Sequence, residues 1–127
     1  MAGELEGKTV LLVDDDRDIL TAMKTALEDL GPTILTAANG NEAVAQTENK
    51  TPDLLVLDQM LPGRSGFLVM EKIKRGKDKS DPPRVIMITG NQGTRHRVYA
   101  ETLGVDLYLN KPFRMDKLIE AVKKLLA

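Results

Sequence analysis

The chain of 127 residues has no cysteine, no tryptophan and a single histidine, His96. The lack of cysteine excludes disulfides, thiolate metal sites and cysteine nucleophiles, and one histidine cannot build a multi-histidine metal site. Aromatic residues make up only 3% of the chain, so few side chains could stack on nucleic-acid bases. Any chemistry must therefore use carboxylates, hydroxyls, lysine ammonium groups and the backbone.

The chain also lacks a strong net charge and a long apolar run. Its 18 basic and 19 acidic residues leave a formal charge of −1, which creates no overall field to attract nucleic acid or an anionic membrane. No apolar run approaches the roughly 20 residues of a membrane span. The first residues, MAGELEGK, lack the apolar core of a signal peptide. These absences predict a cytoplasmic domain without direct nucleic-acid or membrane binding.

Short apolar segments alternate with segments of helical spacing along the whole chain. Residues 8–13, 33–37, 54–57, 84–89 and 106–110 are rich in Val, Ile, Leu and Thr and are predicted strands. Apolar residues at helical spacing predict a helix after each strand. The charged stretch at residues 72–84 is predicted to end the third helix and to form a solvated loop. Strict alternation indicates a doubly wound α/β fold, in which five helices flank a five-stranded parallel sheet. Of the two common strand orders, the flavodoxin-like 2-1-3-4-5 suits a five-stranded chain this short. Residues 8–127 would form this domain, after a flexible N-terminus over residues 1–7.

Polar side chains stand at the carboxyl ends of four of the predicted strands. They are Asp14 and Asp15 after strand 1, Asp58 after strand 3, Thr89 at the end of strand 4 and Lys111 after strand 5. In this strand order those ends meet at one edge of the sheet. Three carboxylates and one ammonium leave an excess of negative charge, which a divalent cation would balance. Hard oxygen ligands with water to complete the shell favour Mg²⁺ over Ca²⁺.

Asp58 has the surroundings of a carboxylate nucleophile. It follows the apolar run LLVL, so a strand end holds it in place, facing the predicted metal and Lys111. A carboxylate in that position can attack a phosphoryl group. Asp16, which follows Asp14 and Asp15, is instead predicted to cap the first helix, because aspartate favours the N-cap position.

Four motifs occur in order at these strand ends: VDDD at 13–16, DLLVLDQMLPGRSG at 53–66, VIMITG at 85–90 and GVDLYLNKPF at 104–113. With them the chain resembles the receiver domain of two-component response regulators, the CheY-like family, over essentially all of its length. The resemblance implies a phosphoacceptor signalling domain that catalyses only its own phosphorylation and dephosphorylation. Its phosphoryl donor would be a phosphohistidine of a sensor histidine kinase or of a histidine phosphotransfer protein.

The resemblance also assigns roles around the metal. Asp58 would be the phosphoacceptor and a ligand of Mg²⁺, with Asp15 binding the ion directly and Asp14 binding it through water. The backbone carbonyl of Met60 would be a further ligand. Met60 and Asn91 occupy positions that tune dephosphorylation in the family, and Gly90 stands where the family usually carries a small side chain such as alanine.

A switch is implied as well. Lys111, followed by a cis peptide bond to Pro112, would pair with Asp58 and then with the phosphoryl oxygens, and Thr89 would contact a phosphoryl oxygen. Movement of Thr89 would let Tyr108 rotate inward. The face formed by helix 4, strand 5 and helix 5 would then be read by a downstream output protein or domain.

Other functions stay open on the sequence alone. A phosphatase of the haloacid dehalogenase type also uses an aspartyl nucleophile on strand 1, although Arg17 stands where that family expects threonine or valine. A flavin module of the flavodoxin type is a second alternative, but Asp14 and Asp15 would repel the flavin phosphate. The third is a receiver-like fold kept only for protein contact.

Overall fold

The computed structural model of the protein describes residues 3–90 and 93–126. Its five strands form one parallel sheet in the order β2-β1-β3-β4-β5, as the alternation of strands and helices predicts. The strands are β1 (Thr9–Val13), β2 (Thr33–Ala37), β3 (Leu54–Asp58), β4 (Arg84–Thr89) and β5 (Leu107–Asn110). β3 is buried along its whole length because it lies at the centre of the sheet with helices on both faces.

Five helices cover the two faces of the sheet. They are α1 (Arg17–Glu28), α2 (Gly40–Lys50), α3 (Gly66–Ile73), α4 (Thr94–Thr102) and α5 (Met115–Leu126). Alternate strand residues point to opposite faces, so Val10 and Leu12 join the core under α1 and α5, and Leu11 and Val13 join the core under α2, α3 and α4. Two apolar layers therefore hold the strands in a fixed register, and with them the strand ends.

Helix α1 begins as the sequence predicts. The side chain of Asp16 accepts hydrogen bonds from the backbone N–H groups of Asp18 at 2.9 Å and Ile19 at 3.3 Å, which is the geometry of an N-cap. Three strand boundaries differ by one residue from the prediction. β1 starts at Thr9 and β5 starts at Leu107. β3 runs one residue further than predicted and includes Asp58.

The loop between α3 and β4 is exposed over residues 75–82, as its charged sequence predicts, but Lys74 before it is not. Lys74 is buried, and its ammonium donates hydrogen bonds to the backbone carbonyls of Asp81 at 2.6 Å and Lys79 at 3.1 Å. Burial lowers the pKa of Lys74, and the nearby acids Asp106 and Asp81 oppose that change. The prediction of a solvated loop is thus wrong at Lys74, because charge composition does not show which ammonium finds backbone carbonyls as partners.

The segment before β1 packs against the domain. Leu5 is fully buried among the residues under α1 and α5, and its N–H donates to the carbonyl of Leu30 at 2.8 Å. Glu4 adds an ion pair with Lys123 at 3.3 Å. Residues 1–2 lie outside the described part, and the domain boundary at residue 8 stays a prediction. No helix among the described residues is long and apolar enough to span a membrane.

Candidate functional site

Three carboxylates converge where β1 and β3 end. Asp14, Asp15 and Asp58 each offer an oxygen, and these oxygens lie within 4.8 Å of one another. Asp14 and Asp58 are buried, whereas Asp15 is exposed. The cluster therefore has two acids fixed below the surface and one at an opening that faces solvent.

Lys111 lies between the two buried acids. Its ammonium nitrogen is 3.1 Å from Asp14 Oδ2 and 3.3 Å from Asp58 Oδ2. Lys111 directly follows β5, and its backbone N–H donates a hydrogen bond to the carbonyl of Thr89. The peptide bond from Lys111 to Pro112 is cis, as the resemblance implies. Burial by itself lowers the pKa of Lys111, but the two carboxylates outweigh that effect and raise the pKa above its usual value. Lys111 is therefore a permanent cation at this site.

The surroundings of Asp58 raise the pKa of its carboxyl group above the usual value. Burial and the charge of Asp14 raise its pKa, while a hydrogen bond from the backbone N–H of Met60 and the charge of Lys111 oppose the rise. The Met60 N–H reaches Asp58 Oδ1 at 3.1 Å, so the two oxygens of Asp58 face different partners. One ammonium does not compensate the two buried charges, and a further cation would stabilise the ionised pair.

The cluster is suited to a divalent cation. Its donors are carboxylate oxygens, which Mg²⁺ prefers, and the exposed Asp15 leaves room for water. The side chain of Met60 is 69% exposed, so it is directed away from the buried acids and only its backbone is near them. The ligand role of the Met60 carbonyl stays a prediction. Asn91 lies outside the described residues.

Thr89 and Tyr108 lie on β4 and β5, the two strands that follow β3 in the sheet. Thr89 is fully buried at the end of β4, and Tyr108 is half-buried on β5 with its hydroxyl 3.4 Å from Gln59 Oε1. Burial raises the pKa of the Tyr108 hydroxyl, while a hydrogen bond with the Thr89 side chain and the charge of Arg97 act in the opposite direction. The Tyr108 hydroxyl thus points to the interior, toward the residue that follows Asp58.

A glycine lets α3 begin against the strand end that carries Asp58. The N–H of Gly66 donates to the carbonyl of Gln59 at 2.9 Å. A Cβ atom at position 66 would lie 2.7 Å from the carbonyl oxygen of Asp58 and 2.8 Å from the Cα of Gln59, closer than carbon atoms pack. Gly66 therefore fixes the backbone on which the acidic cluster depends.

Sequence patterns did not predict a role for Gln59. Gln59 is 4% exposed, and its carboxamide contacts His96 on α4 as well as Tyr108. The sequence contains one indication of such a role, since Gln59 lies between Asp58 and the apolar MLP sequence. A side-chain amide that is buried there needs a polar partner. The partner could not be named, since His96 is 37 residues away.

Comparison with known proteins agrees with this geometry. A family model described as the response regulator receiver domain matches residues 10–123. The phosphate regulon transcriptional regulatory protein PhoB of Pseudomonas aeruginosa is 37% identical over 120 residues, which are 94% of this chain and 52% of PhoB. Protein PilG of the same organism is 29% identical over 97% of this chain and 90% of PilG.

The fold has solved counterparts. The crystal structure of a CheY-like receiver domain protein from Methanospirillum hungatei superimposes with a TM-score of 0.85 at 33% identity, covering 94% of this chain and 93% of that one. The chain spans about half the length of PhoB and of several other curated relatives. The sheet order, the acidic cluster beside a lysine and the family match over residues 10–123 lead to one conclusion: the chain belongs to the response regulator receiver domain family.

Proposed function

We propose that this receiver domain accepts a phosphoryl group on Asp58 in the presence of Mg²⁺, from a phosphohistidine of a sensor kinase or of a phosphotransfer protein. The observation that supports this most directly is the position of Asp58. Its carboxylate is held at the end of a central buried strand, 3.3 Å from the ammonium of Lys111 and among two further acids. Such a carboxylate is an oriented nucleophile with positive charge beside it.

In the proposed step a carboxylate oxygen of Asp58 attacks phosphorus. A P–O bond forms as the P–N bond of the phosphohistidine breaks, and the departing imidazole nitrogen keeps the electron pair of that bond. The product is an acyl phosphate on Asp58. No oxidant or other reactant is needed, and hydrolysis by water returns the free carboxylate and inorganic phosphate.

Two groups of this chain would stabilise the charge that develops. Lys111, which already lies between Asp14 and Asp58, can donate to a phosphoryl oxygen without a large movement. The N–H of Met60 holds Asp58 Oδ1 and so orients the carboxylate. Bound Mg²⁺ would offset negative charge on the phosphoryl oxygens, with Asp14, Asp15, Asp58 and the Met60 carbonyl as its protein ligands.

The signal would pass from Thr89 to Tyr108. A phosphoryl group adds negative charge and acceptor oxygens beside the buried Thr89 hydroxyl, which already bonds with Tyr108. A movement of Thr89 toward the phosphoryl group would change the contacts of Tyr108. The face of α4, β5 and α5 would present that change to an output protein or domain.

The relatives suggest where that output lies. PhoB is named a transcriptional regulatory protein, and this chain matches only about half of it. PilG is matched over 90% of its length. We propose two signalling partners for this domain: a phosphohistidine protein that donates the phosphoryl group, and an output protein or domain that responds to it. The formal charge of −1 supports a domain that does not itself bind nucleic acid.

The phosphatase alternative finds no support. It requires an aspartyl nucleophile on strand 1, and Arg17 stands where that family expects threonine or valine. The family match over residues 10–123 is to receiver domains.

The test is labelling with a small phosphodonor. The protein is incubated with Mg²⁺ and acetyl phosphate, and the phosphoryl group is located by mass spectrometry after borohydride reduction. We expect label on Asp58 that is lost in Asp58→Asn or with a chelator. Asp16→Asn is the matched control, since it makes the same change at an exposed N-cap that asparagine also satisfies. Label on Asp14, or none on any acid, would refute the proposal.

A further inference from the structure

The carboxamide of Gln59 bridges two elements that carry the proposed output face. Its Nε2 lies 3.1 Å from His96 Nδ1 on α4, and its Oε1 accepts the hydroxyl of Tyr108 on β5 at 3.4 Å. An amide nitrogen donates, so His96 Nδ1 accepts and the ring proton is on Nε2. The nitrogen and the oxygen of this buried carboxamide thus both form hydrogen bonds, the nitrogen with α4 and the oxygen with β5.

The contact with His96 is strengthened by aromatic packing. Phe67, at the start of α3, stacks on the His96 ring with centroids 6.0 Å apart and planes at 28°. Phe67 also meets the ring of Tyr99 edge-on, with centroids 5.0 Å apart. His96 is therefore held between the amide of Gln59 and the ring of Phe67, which restricts its orientation.

Few of the described side chains of helix α4 are buried. Among its described side chains only Ala100 is buried, while Val98 and Tyr99 are 53% and 45% exposed. The helix follows Gly93, which has no side chain that could cap it. Apolar burial is the usual anchor of a helix on a sheet, so a helix with one buried alanine depends on other contacts. The amide of Gln59 and the ring of Phe67 supply such contacts through His96.

We infer that Gln59 is a positioning residue, which holds the Tyr108 hydroxyl inward and α4 in place by a hydrogen-bonded clamp that needs no phosphoryl group. The clamp starts from the residue directly after Asp58, so any displacement of that strand end reaches α4 and β5 through one side chain. Its link to signalling rests on the proposed phosphorylation of Asp58, whereas the clamp itself does not.

The first test uses Gln59→Met, which keeps an unbranched side chain of similar length and removes both polar ends. The matched control is Gln46→Met, because Gln46 also uses its Nε2, to bond the carbonyl of Thr36 on β2, at the opposite edge of the sheet from β5. Isotope-labelled protein without Mg²⁺ or phosphodonor is examined by NMR. Circular dichroism verifies that both variants are folded.

In the wild type and in Gln46→Met we expect the ¹⁵N shifts of His96 to show one tautomer, protonated on Nε2. In Gln59→Met we expect mixed tautomers, altered Tyr108 ring resonances and exchange protection of the α4 amides lower by about tenfold, the factor for roughly one lost hydrogen bond. An unchanged His96 tautomer and unchanged Tyr108 resonances in Gln59→Met would overturn the inference, as would equal changes in Gln46→Met.

A second variant covers the case in which Gln59→Met does not fold. Tyr108→Phe removes the hydroxyl that Gln59 Oε1 accepts and that also bonds with the Thr89 side chain. We expect the side-chain amide resonances of Gln59 to shift or broaden while the His96 tautomer persists. Amide resonances identical to those of the wild type would overturn the clamp.

A further experiment, with Mg²⁺ and beryllofluoride added to the wild type and to Gln59→Met, tests the clamp and the proposed function independently. We expect this phosphoryl mimic to bind both proteins and to shift the Tyr108 ring of Gln59→Met further than that of the wild type, where the hydroxyl is already held. Failure of the mimic to bind either protein would count against phosphorylation of Asp58 and leave the tautomer result standing. Equal shifts of Tyr108 in both proteins would refute the link between the clamp and the signal.

Discussion

The ammonium nitrogen of Lys111 lies 3.1 Å from Asp14 Oδ2, and so it is as close to this buried acid as to the proposed phosphoacceptor. Asp14 is fully buried, and the Lys111 side chain is 25% exposed. One cation is therefore shared by two carboxylates that would otherwise repel each other. Lys111 thus stabilises the buried acids and is also the cation of the proposed chemistry.

Replacement of Asp58 by asparagine is expected to raise the free energy of unfolding at neutral pH. The pKa of Asp58 is raised by burial and by Asp14, so the folded protein binds this proton more tightly than the unfolded chain does. Ionised Asp58 thus destabilises the fold above its folded pKa, and the cost disappears as the pH falls through that value. Asparagine removes the charge and keeps the shape.

Urea denaturation of the wild type and of Asp58→Asn at neutral pH and near pH 4 measures this difference. We expect the advantage of the variant to shrink toward the acidic pH, where Asp58 takes up its proton. A variant less stable than the wild type at neutral pH would show that the contacts of Asp58 with Lys111 and the Met60 N–H outweigh burial. Asp16→Asn serves as the exposed control.

Replacement of Lys111 by methionine should destabilise the protein by about 2 kcal/mol without Mg²⁺, because two buried carboxylates lose their cation. Mg²⁺ is expected to recover more stability in Lys111→Met than in the wild type, since the variant leaves more negative charge for the ion to balance. Thermal unfolding with and without Mg²⁺ gives both quantities. An equal response to Mg²⁺ in the two proteins would show that Lys111 and the ion do not share the same acids.

Replacement of Gly66 by alanine is expected to cost about 1–3 kcal/mol, the usual range for overpacking. The added Cβ would lie 2.7 Å from the carbonyl oxygen of Asp58, a backbone atom that cannot rotate away. Gly90→Ala is the control, since a Cβ there meets no atom within 4 Å, and we expect a change within about 0.5 kcal/mol. Denaturation that gives equal losses for both variants would contradict the close approach at Gly66.

Replacement of Lys74 by methionine should loosen the loop between α3 and β4. Its ammonium holds the carbonyls of Lys79 and Asp81, and the variant lacks any donor for them. We expect trypsin to cut at Arg75, Lys77 or Lys79 several-fold faster while the rest of the domain stays intact. Lys72→Met is the control, because Lys72 is exposed and pairs only loosely with Glu48 at 4.0 Å. Equal cutting rates in the two variants would contradict the role of Lys74.

Most of the fold could be predicted because its signals are local. Apolar runs identify β1, β3 and β4, and helical spacing identifies the helices between them. The boundaries that shifted depend on distant groups. β5 starts after Asp106, for example, whose side chain accepts the N–H of Val85 at 2.8 Å and pairs with Arg84.

The cluster of acids and lysine could also be predicted, since parallel strands place their carboxyl ends at one edge. The sharing of Lys111 between Asp14 and Asp58 could not, because side-chain distances depend on packing around each group. The same holds for the burial of Leu5 and of Lys74. Each is decided by atoms far away along the chain.

By itself the sequence determined the alternating elements, the strand order and the residues at the strand ends. These follow from periodicity and from the geometry of parallel sheets, which act over short distances or by general rule. Only the tertiary structure decided that the amide of Gln59 joins His96 and Tyr108, residues 37 and 49 positions away. A hydrogen bond requires its two heavy atoms to lie within about 3.5 Å of each other, and folding alone brings such distant parts of the chain together.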